Sequence, residues 1–353
     1  MKAVRVHGPG DLRIEDVPDP RPAHGQVLVA VEAAGMCATD VHILHGTFPC
    51  RYPLTIGHEI AGRIVEVGDG VDPARVGASV TVEPHEYCRE CLYCRIGQEH
   101  MCTAKEAYGV HVDGGMAEYL AVPSRLAYDL PEGVSAALGS MTEPIACSIH
   151  AMDRLGAVSG LPVAVYGCGP AGAVLVALCR RAGLSPIVVL DPRAERRDLA
   201  LRVGADIALD PTTGEIEDIV RDLTGGYGFS YQIDAVGSPR VIEQAVARAA
   251  RRGTVLFFGV AAPGDPATVY PQEIYAKELS LLGTAINPYT HHRAAALLPQ
   301  LPLTELRTAT YHLTDAAAAL EAQQRGEVDK IFLAPGESLA GAGAGNGATR
   351  ATV

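Results

Sequence analysis

The 353-residue chain is short of positive charge: Lys and Arg number 29 against 41 Asp and Glu, a formal net charge of −12. A surface of that sign repels phosphate backbones and anionic lipid, so neither nucleic acid nor membrane is expected as a partner. An uninterrupted apolar run fit to span a bilayer is also missing. The longest, "LPVAVYGCGPAGAVLVALC", comes near the required length, but Gly and Pro cluster at one point within it and a second apolar strand follows. The opening "MKAVRVHGPGDLRIEDVPDP" has no apolar core of signal-peptide length, so export is not expected and a cytoplasmic location is. The nine cysteines are then expected to be reduced, which favours metal ligands over disulfides. No repeat is present beyond the alternation described next.

The length allows two domains, each with its own core. Up to about residue 145, short β-like runs alternate with Gly/Pro turns: "QVLVAVEAAG", "AGRIVEVGDGV", "ASVTVEP", "GMAEYLAVP". Period-2 patterning with close turn signals predicts a small, irregular β-barrel or sandwich. After "MTEPIACSIHAMDRLG" the texture changes. "PVAVYG", "PIVVLD", "FSYQIDAVG" and "TVLFFGV" read as strands; "PAGAVLVALCRRAG", "PRAERRDLALRVGA" and "PRVIEQAVARAARRG" read as the helices between them. Repeated βαβ units predict an α/β domain, a parallel sheet with helices on both faces. From about Pro288 come two helix-like stretches, the second with Thr314 as N-cap and Gly326 as C-cap, and a last strand, "KIFLAP". The Gly/Ala-rich tail, 336–353, has too little apolar surface to fold and is expected to be disordered.

"VYGCGPAG" carries Gly167, Gly169 and Gly172 in G-x-G-x-x-G spacing, after a strand and opening a helix. The first Gly suits a tight turn, the second the approach of a pyrophosphate, the third close packing of helix on strand. Pro170 fits the first helical turn, where its missing N–H is not needed, and the helix N-terminus presents free N–H groups to phosphate. Asp191 closes the next strand, where its carboxylate would accept the ribose hydroxyls and repel a 2′-phosphate; NAD is therefore expected rather than NADP. Arg193, Arg196 and Arg197 follow it and are read chiefly as a solvated helix face, with Arg196 placed to reach a phosphate. Ala171 in the loop, and Val236 and Gly259 after later strands, complete the expected cofactor contacts.

Cys88, Cys91, Cys94 and Cys102 lie in one polar segment, "CRECLYCRIGQEHMC". Four thiolates complete a tetrahedral zinc shell and leave no open position, so this site is expected to be structural. A second constellation is scattered: Cys37, Thr39 and His42 in "GMCATDVH", His58 and Glu59 in "IGHEIAG", Glu143 in "MTEPIAC". One thiolate, one imidazole and one or two carboxylates suit zinc with a position free for water or substrate.

Together these motifs resemble the zinc-dependent medium-chain alcohol dehydrogenase family over nearly all of the chain before the tail. "GHEIAGRIVEVG" is similar to its zinc signature, the cysteine run to its structural-zinc lobe, and "VYGCGPAG" to its dinucleotide loop. The resemblance implies a GroES-like β-rich catalytic domain (1–148, with the metal lobe at 83–104), a Rossmann doubly wound domain (149–286) and a return to the first domain (287–335). It implies one catalytic and one structural zinc per subunit, with Cys37, His58 and Glu59 or Glu143 holding the former, Glu59 also counted with the catalytic residues. It implies that Thr39 and His42 relay the substrate proton, and that the subunits form a homodimer or homotetramer.

The "TEP" around Glu143 is similar to the polyol and threonine dehydrogenase branch, in which Phe48, Tyr108 and His111 would line the substrate pocket. Sorbitol dehydrogenases tend to carry an Arg-Tyr pair where this chain has Ile286-Asn287, which argues against sorbitol itself. The expectation is an oxidoreductase passing hydride from a secondary alcohol, a polyol, to NAD. The rival readings are a threonine, amino-alcohol or biosynthetic cyclic-polyol dehydrogenase and, from another class, a non-catalytic zinc-bound interaction or nucleic-acid module. Net acidity and the complete dinucleotide loop weigh against the last.

Overall fold

A computed structural model describes residues 1–213, 216–262 and 264–336; the tail expected to be disordered lies outside the described residues from 337 onward. Six strands form an entirely parallel sheet in the spatial order Ile207–Leu209, Ile187–Leu190, Val163–Tyr166, Phe229–Asp234, Ala249–Phe257, Ser280–Gly283. In chain order that is 3-2-1-4-5-6, the doubly wound arrangement. The order reverses between Val163–Tyr166 and Phe229–Asp234, and a crevice for ligand opens at the carboxyl ends of strands at such a point. Both faces are covered, as four-residue apolar strands such as "VAVY" and "IVVL" require. One core packs helices Thr142–Leu155, Pro170–Arg181 and Ala194–Val203 against Val163, Val165, Val189 and Ile233. The other packs Val220, Ala245 and Val246 against Ala164, Tyr166, Val188 and Val255.

The β-rich part is built on strand Gln26–Gly35, which pairs antiparallel with Glu59–Val67, Tyr119–Pro123 and, from the far end of the chain, Lys330–Ala334. Sheet alternation buries Val27, Val29 and Val31 in a separate core with Ile60, Ile64, Val80 and Ile331. The final strand thus completes the first sheet, pairing Phe332 with Gly35 and Leu333 with Ala34.

Two local expectations are corrected. The helix read over "PRVIEQAVARAARRG" ends at Ala247, and Ala249 already begins the next strand, because Ala249 pairs with Phe229 across a register shift before Tyr231. Thr314 is not the N-cap of the last helix. It sits within a 3₁₀ turn, Leu313–Asp315, capped by His312, and Asp315 begins helix Ala316–Arg325. Gly326 does close that helix, in the left-handed conformation at φ 64°.

Candidate active site

The four lobe cysteines converge. Zinc–sulfur bonds of about 2.3 Å place tetrahedral sulfurs about 3.8 Å apart; here Cys88–Cys102, Cys91–Cys94 and Cys88–Cys94 stand at 3.4, 3.6 and 4.0 Å. That spacing is far too long for disulfide bonds and suits thiolates around one ion. Backbone amides help: Cys91 N–H donates to Cys88 Sγ and Cys88 N–H to Cys102 Sγ, each at 3.4 Å. Amides of Cys94 and Thr103 hold the Cys91 thiol down to about 6.

The scattered set also converges. Donor atoms of Cys37, His58 and Glu59 lie within 4.8 Å of one another, His58 and Glu59 buried and Cys37 partly so. Cys37 caps helix Ala38–Leu44, and Glu59 opens the strand paired with Gly35. Gly35 must be glycine, since a Cβ there would lie 2.2 Å from Glu59 Oε2. Glu143, in the first turn of helix Thr142–Leu155, stands outside this three-residue group; its Oε1 accepts from Cys147 Sγ at 3.2 Å.

Two buried charged residues that sequence reasoning missed lie against these candidate ligands. Asp40 accepts the Cys37 N–H at Oδ2, 2.8 Å, and turns Oδ1 to His58 Nδ1 at 3.6 Å. A carboxylate on one ring nitrogen orients the other toward a metal and raises its basicity. Burial pulls the His58 pKa down, but Asp40 and then Cys37 more than reverse it. Its signal was the acidic residue three after Cys37, a capping-box pattern. Lys330 forms an ion pair with Glu59 and donates to Met36 O at 2.8 Å. Burial raises the Glu59 carboxyl and Lys330 opposes it. No local pattern ties a lysine at the start of the last strand to Glu59.

Thr39 Oγ1 lies 3.8 Å from Cys37 Sγ, and His42, one turn later, is exposed with Nδ1 3.1 Å from Thr47 Oγ1. Of the residues expected at the substrate, Phe48 packs partly buried on the β-domain core. His111 spends Nδ1 on the Ala107 N–H at 3.1 Å, fixing its own turn. Tyr108 lines a cavity with Arg5 and Asp113, its hydroxyl 3.5 Å from Glu86.

At the strand reversal, Gly167 takes φ 87°, and a Cβ on Gly172 would meet Gly167 O at 2.1 Å. A Cβ on Gly169 would meet nothing closer than Arg196, at 3.9 Å, so this glycine leaves room for a ligand. Pro170 and Ala171 begin the helix behind it. Asp191 is buried, accepting Cys168 N–H and Arg193 N–H at 2.9 Å each. Gly167, Gly169, Asp191, Arg196 and Val236 wall a cavity of about 410 Å³. Gly259 instead backs Val236–Gly237. Arg193 and Arg197 are committed to Glu195 and Asp210, whereas Arg196 lies 3.9 Å from Asp191.

Comparison with known proteins gives the family. Residues 23–132 match the alcohol dehydrogenase GroES-like domain and residues 170–301 the zinc-binding dehydrogenase family. An erythritol/L-threitol dehydrogenase of Mycolicibacterium smegmatis is 32% identical over 95% of this chain and 98% of its own. An L-threonine 3-dehydrogenase of Pyrococcus horikoshii is 33% identical over 80% and 82%. A solved zinc-binding dehydrogenase from Sinorhizobium meliloti, bound to NADP, superposes with a TM-score of 0.91 at 34% identity, covering 95% of this chain and 99% of that one. The chain belongs to the zinc-dependent medium-chain alcohol dehydrogenase family, in its polyol and threonine dehydrogenase-like branch. Its fold pairs a GroES-like β-rich domain with a Rossmann sheet, and no described helix is long and apolar enough to cross a membrane.

Proposed function

We propose that this protein oxidises a secondary alcohol, a polyol, to a ketone with NAD as hydride acceptor. The convergence of Cys37, His58 and Glu59 beside Thr39 carries the reading: a mixed thiolate, imidazole and carboxylate set that fits zinc with a position to spare. Bound there, zinc would polarise the substrate hydroxyl while the nicotinamide takes the hydride. Thr39 Oγ1 accepts a hydrogen bond from the substrate hydroxyl and passes its own proton outward as it takes up the substrate's, and exposed His42 hands that proton to solvent. Asp40 holds His58 in its ligating orientation, and Lys330 fixes Glu59. The sealed four-cysteine site braces the lobe and takes no part in turnover.

Buried Asp191 favours NAD over a 2′-phosphorylated cofactor, with Arg196 the guanidinium nearest to any such phosphate. Similarity to the erythritol/L-threitol enzyme supports a polyol; similarity to the threonine enzyme supports an amino alcohol as the second reading. A spectrophotometric screen of NAD and NADP reduction across polyols, amino alcohols and simple alcohols tests both choices. Turnover of no polyol would sink the substrate assignment. His42→Ala should slow turnover and alter the pH–rate profile without loss of metal; an unaltered profile would refute the relay.

A further inference from the structure

A cavity of about 230 Å³ lies between the start of the cysteine lobe and Pro288–Tyr289. Its wall includes Glu83 and His85, each 6% exposed, with Tyr87, Tyr128 and Leu126. Tyr128 OH donates to Glu83 Oε2 at 3.0 Å. Beside the cavity, His85 Nδ1 and Tyr87 OH are buried with no hydrogen-bond partner among the described residues. Buried polar atoms left unpaired are costly, and a cluster of them at a cavity calls for an occupant that hydrogen-bonds. The cavity adjoins the candidate metal site through the sheet: Val82 pairs antiparallel with Ile60, so Glu83, one residue beyond that pairing, lies alongside Glu59, one residue before it.

We propose that this cavity is a distal subsite of the active site, where Glu83, His85 and Tyr87 hold the far hydroxyls of a polyhydroxylated substrate. The proposal rests on the polyol reading above. The buried groups, Glu83 and His85, are suited to neutral hydroxyls. Burial lifts Glu83 to about 7, so near neutrality its carboxyl is substantially protonated and can donate as well as accept. Burial drives His85 down to about 3, leaving a neutral ring with one donor and one acceptor. Burial also raises the Tyr128 phenol, which stays neutral. Three further charged residues are on the wall: Arg125, engaged by Glu86 at 2.6 Å, exposed Arg89 and half-buried Glu99. Glu83, His85 and Tyr87 are therefore specificity-determining residues that read chain length and hydroxylation.

The test measures kcat and KM of wild type, Tyr87→Phe and Glu83→Ala on a five- or six-carbon polyol and on 2-butanol, with zinc content and melting temperature as controls. Loss of one hydrogen bond should raise KM for the long polyol about tenfold, with kcat and the 2-butanol constants unchanged. Tyr87→Phe removes only a hydroxyl and remains informative should Glu83→Ala fail to fold. Equal effects on both substrates, or none on either, would overturn the subsite while leaving the polyol reading intact. Selective loss of an amino alcohol in Glu83→Gln would also overturn it, marking a cation site instead. Wild-type enzyme inactive on every polyol would remove the parent reading before any variant is made.

Discussion

The Lys330 ammonium is paired with the Glu59 carboxylate, and both residues are buried, at 3% and 1% exposure. The pair joins the last described strand to the strand that opens with Glu59, a candidate metal ligand. Removing one member of such a pair strands the other charge in a low-dielectric interior. Lys330→Met should therefore destabilise the protein by ~3 kcal/mol or more, read from denaturant midpoints. A midpoint equal to that of wild type would show that Glu59 is not held by this lysine.

The two thiolate sites should separate by zinc content. Cys37→Ser is expected to drop from two zinc ions per chain to one and to lose activity, while the fold and the lobe metal persist. Cys94→Ser should also fall to one zinc, but with a lower melting temperature, because closed zinc sites contribute directly to folding. Active wild type with a single zinc per chain would contradict both expectations.

Two glycines three residues apart should respond in opposite ways to the same added methyl. Gly172→Ala puts a Cβ 2.1 Å from Gly167 O, so the helix must shift off its strand and the melting temperature should fall. Gly169→Ala meets only Arg196 at 3.9 Å, so its melting temperature should match wild type. It should instead lose the stabilisation that added NAD gives the wild type, since ligand binding to the native state raises stability. Retained NAD stabilisation in Gly169→Ala would place the pyrophosphate elsewhere.

His291 is buried between Thr81 and Asn287, and burial pushes its pKa down from 6.5 to about 3. The unfolded chain then binds the extra proton first as pH falls, so this residue's contribution is complete above pH 6.5 and declines toward pH 3. His291→Gln should show a shallower loss of stability across that window than wild type, measured by urea unfolding at stepped pH. Parallel curves would mean that His291 protonates without penalty in the folded state.

Legibility in the sequence followed range. The dinucleotide loop, the four-cysteine lobe and the alternation of strand and helix are each written in residues close along the chain, where spacing and period dictate local geometry. Cys37, His58 and Glu59 were singled out by type, but their meeting depends on a helix start and a strand edge being brought together by the first sheet. Asp40 left a faint local trace as a capping pattern. Lys330 left none, because its partner is supplied by the return of the final strand.

His111 shows the role of local contacts as well, since its Nδ1 accepts the backbone N–H of Ala107, four residues earlier. Local hydrogen bonding and hydrophobic period determined the elements and both glycine and thiolate motifs. The pairing of the last strand with Gln26–Gly35 decided which charges meet at the buried candidate metal site, because burial makes an ion pair obligatory only once the tertiary packing has chosen its members.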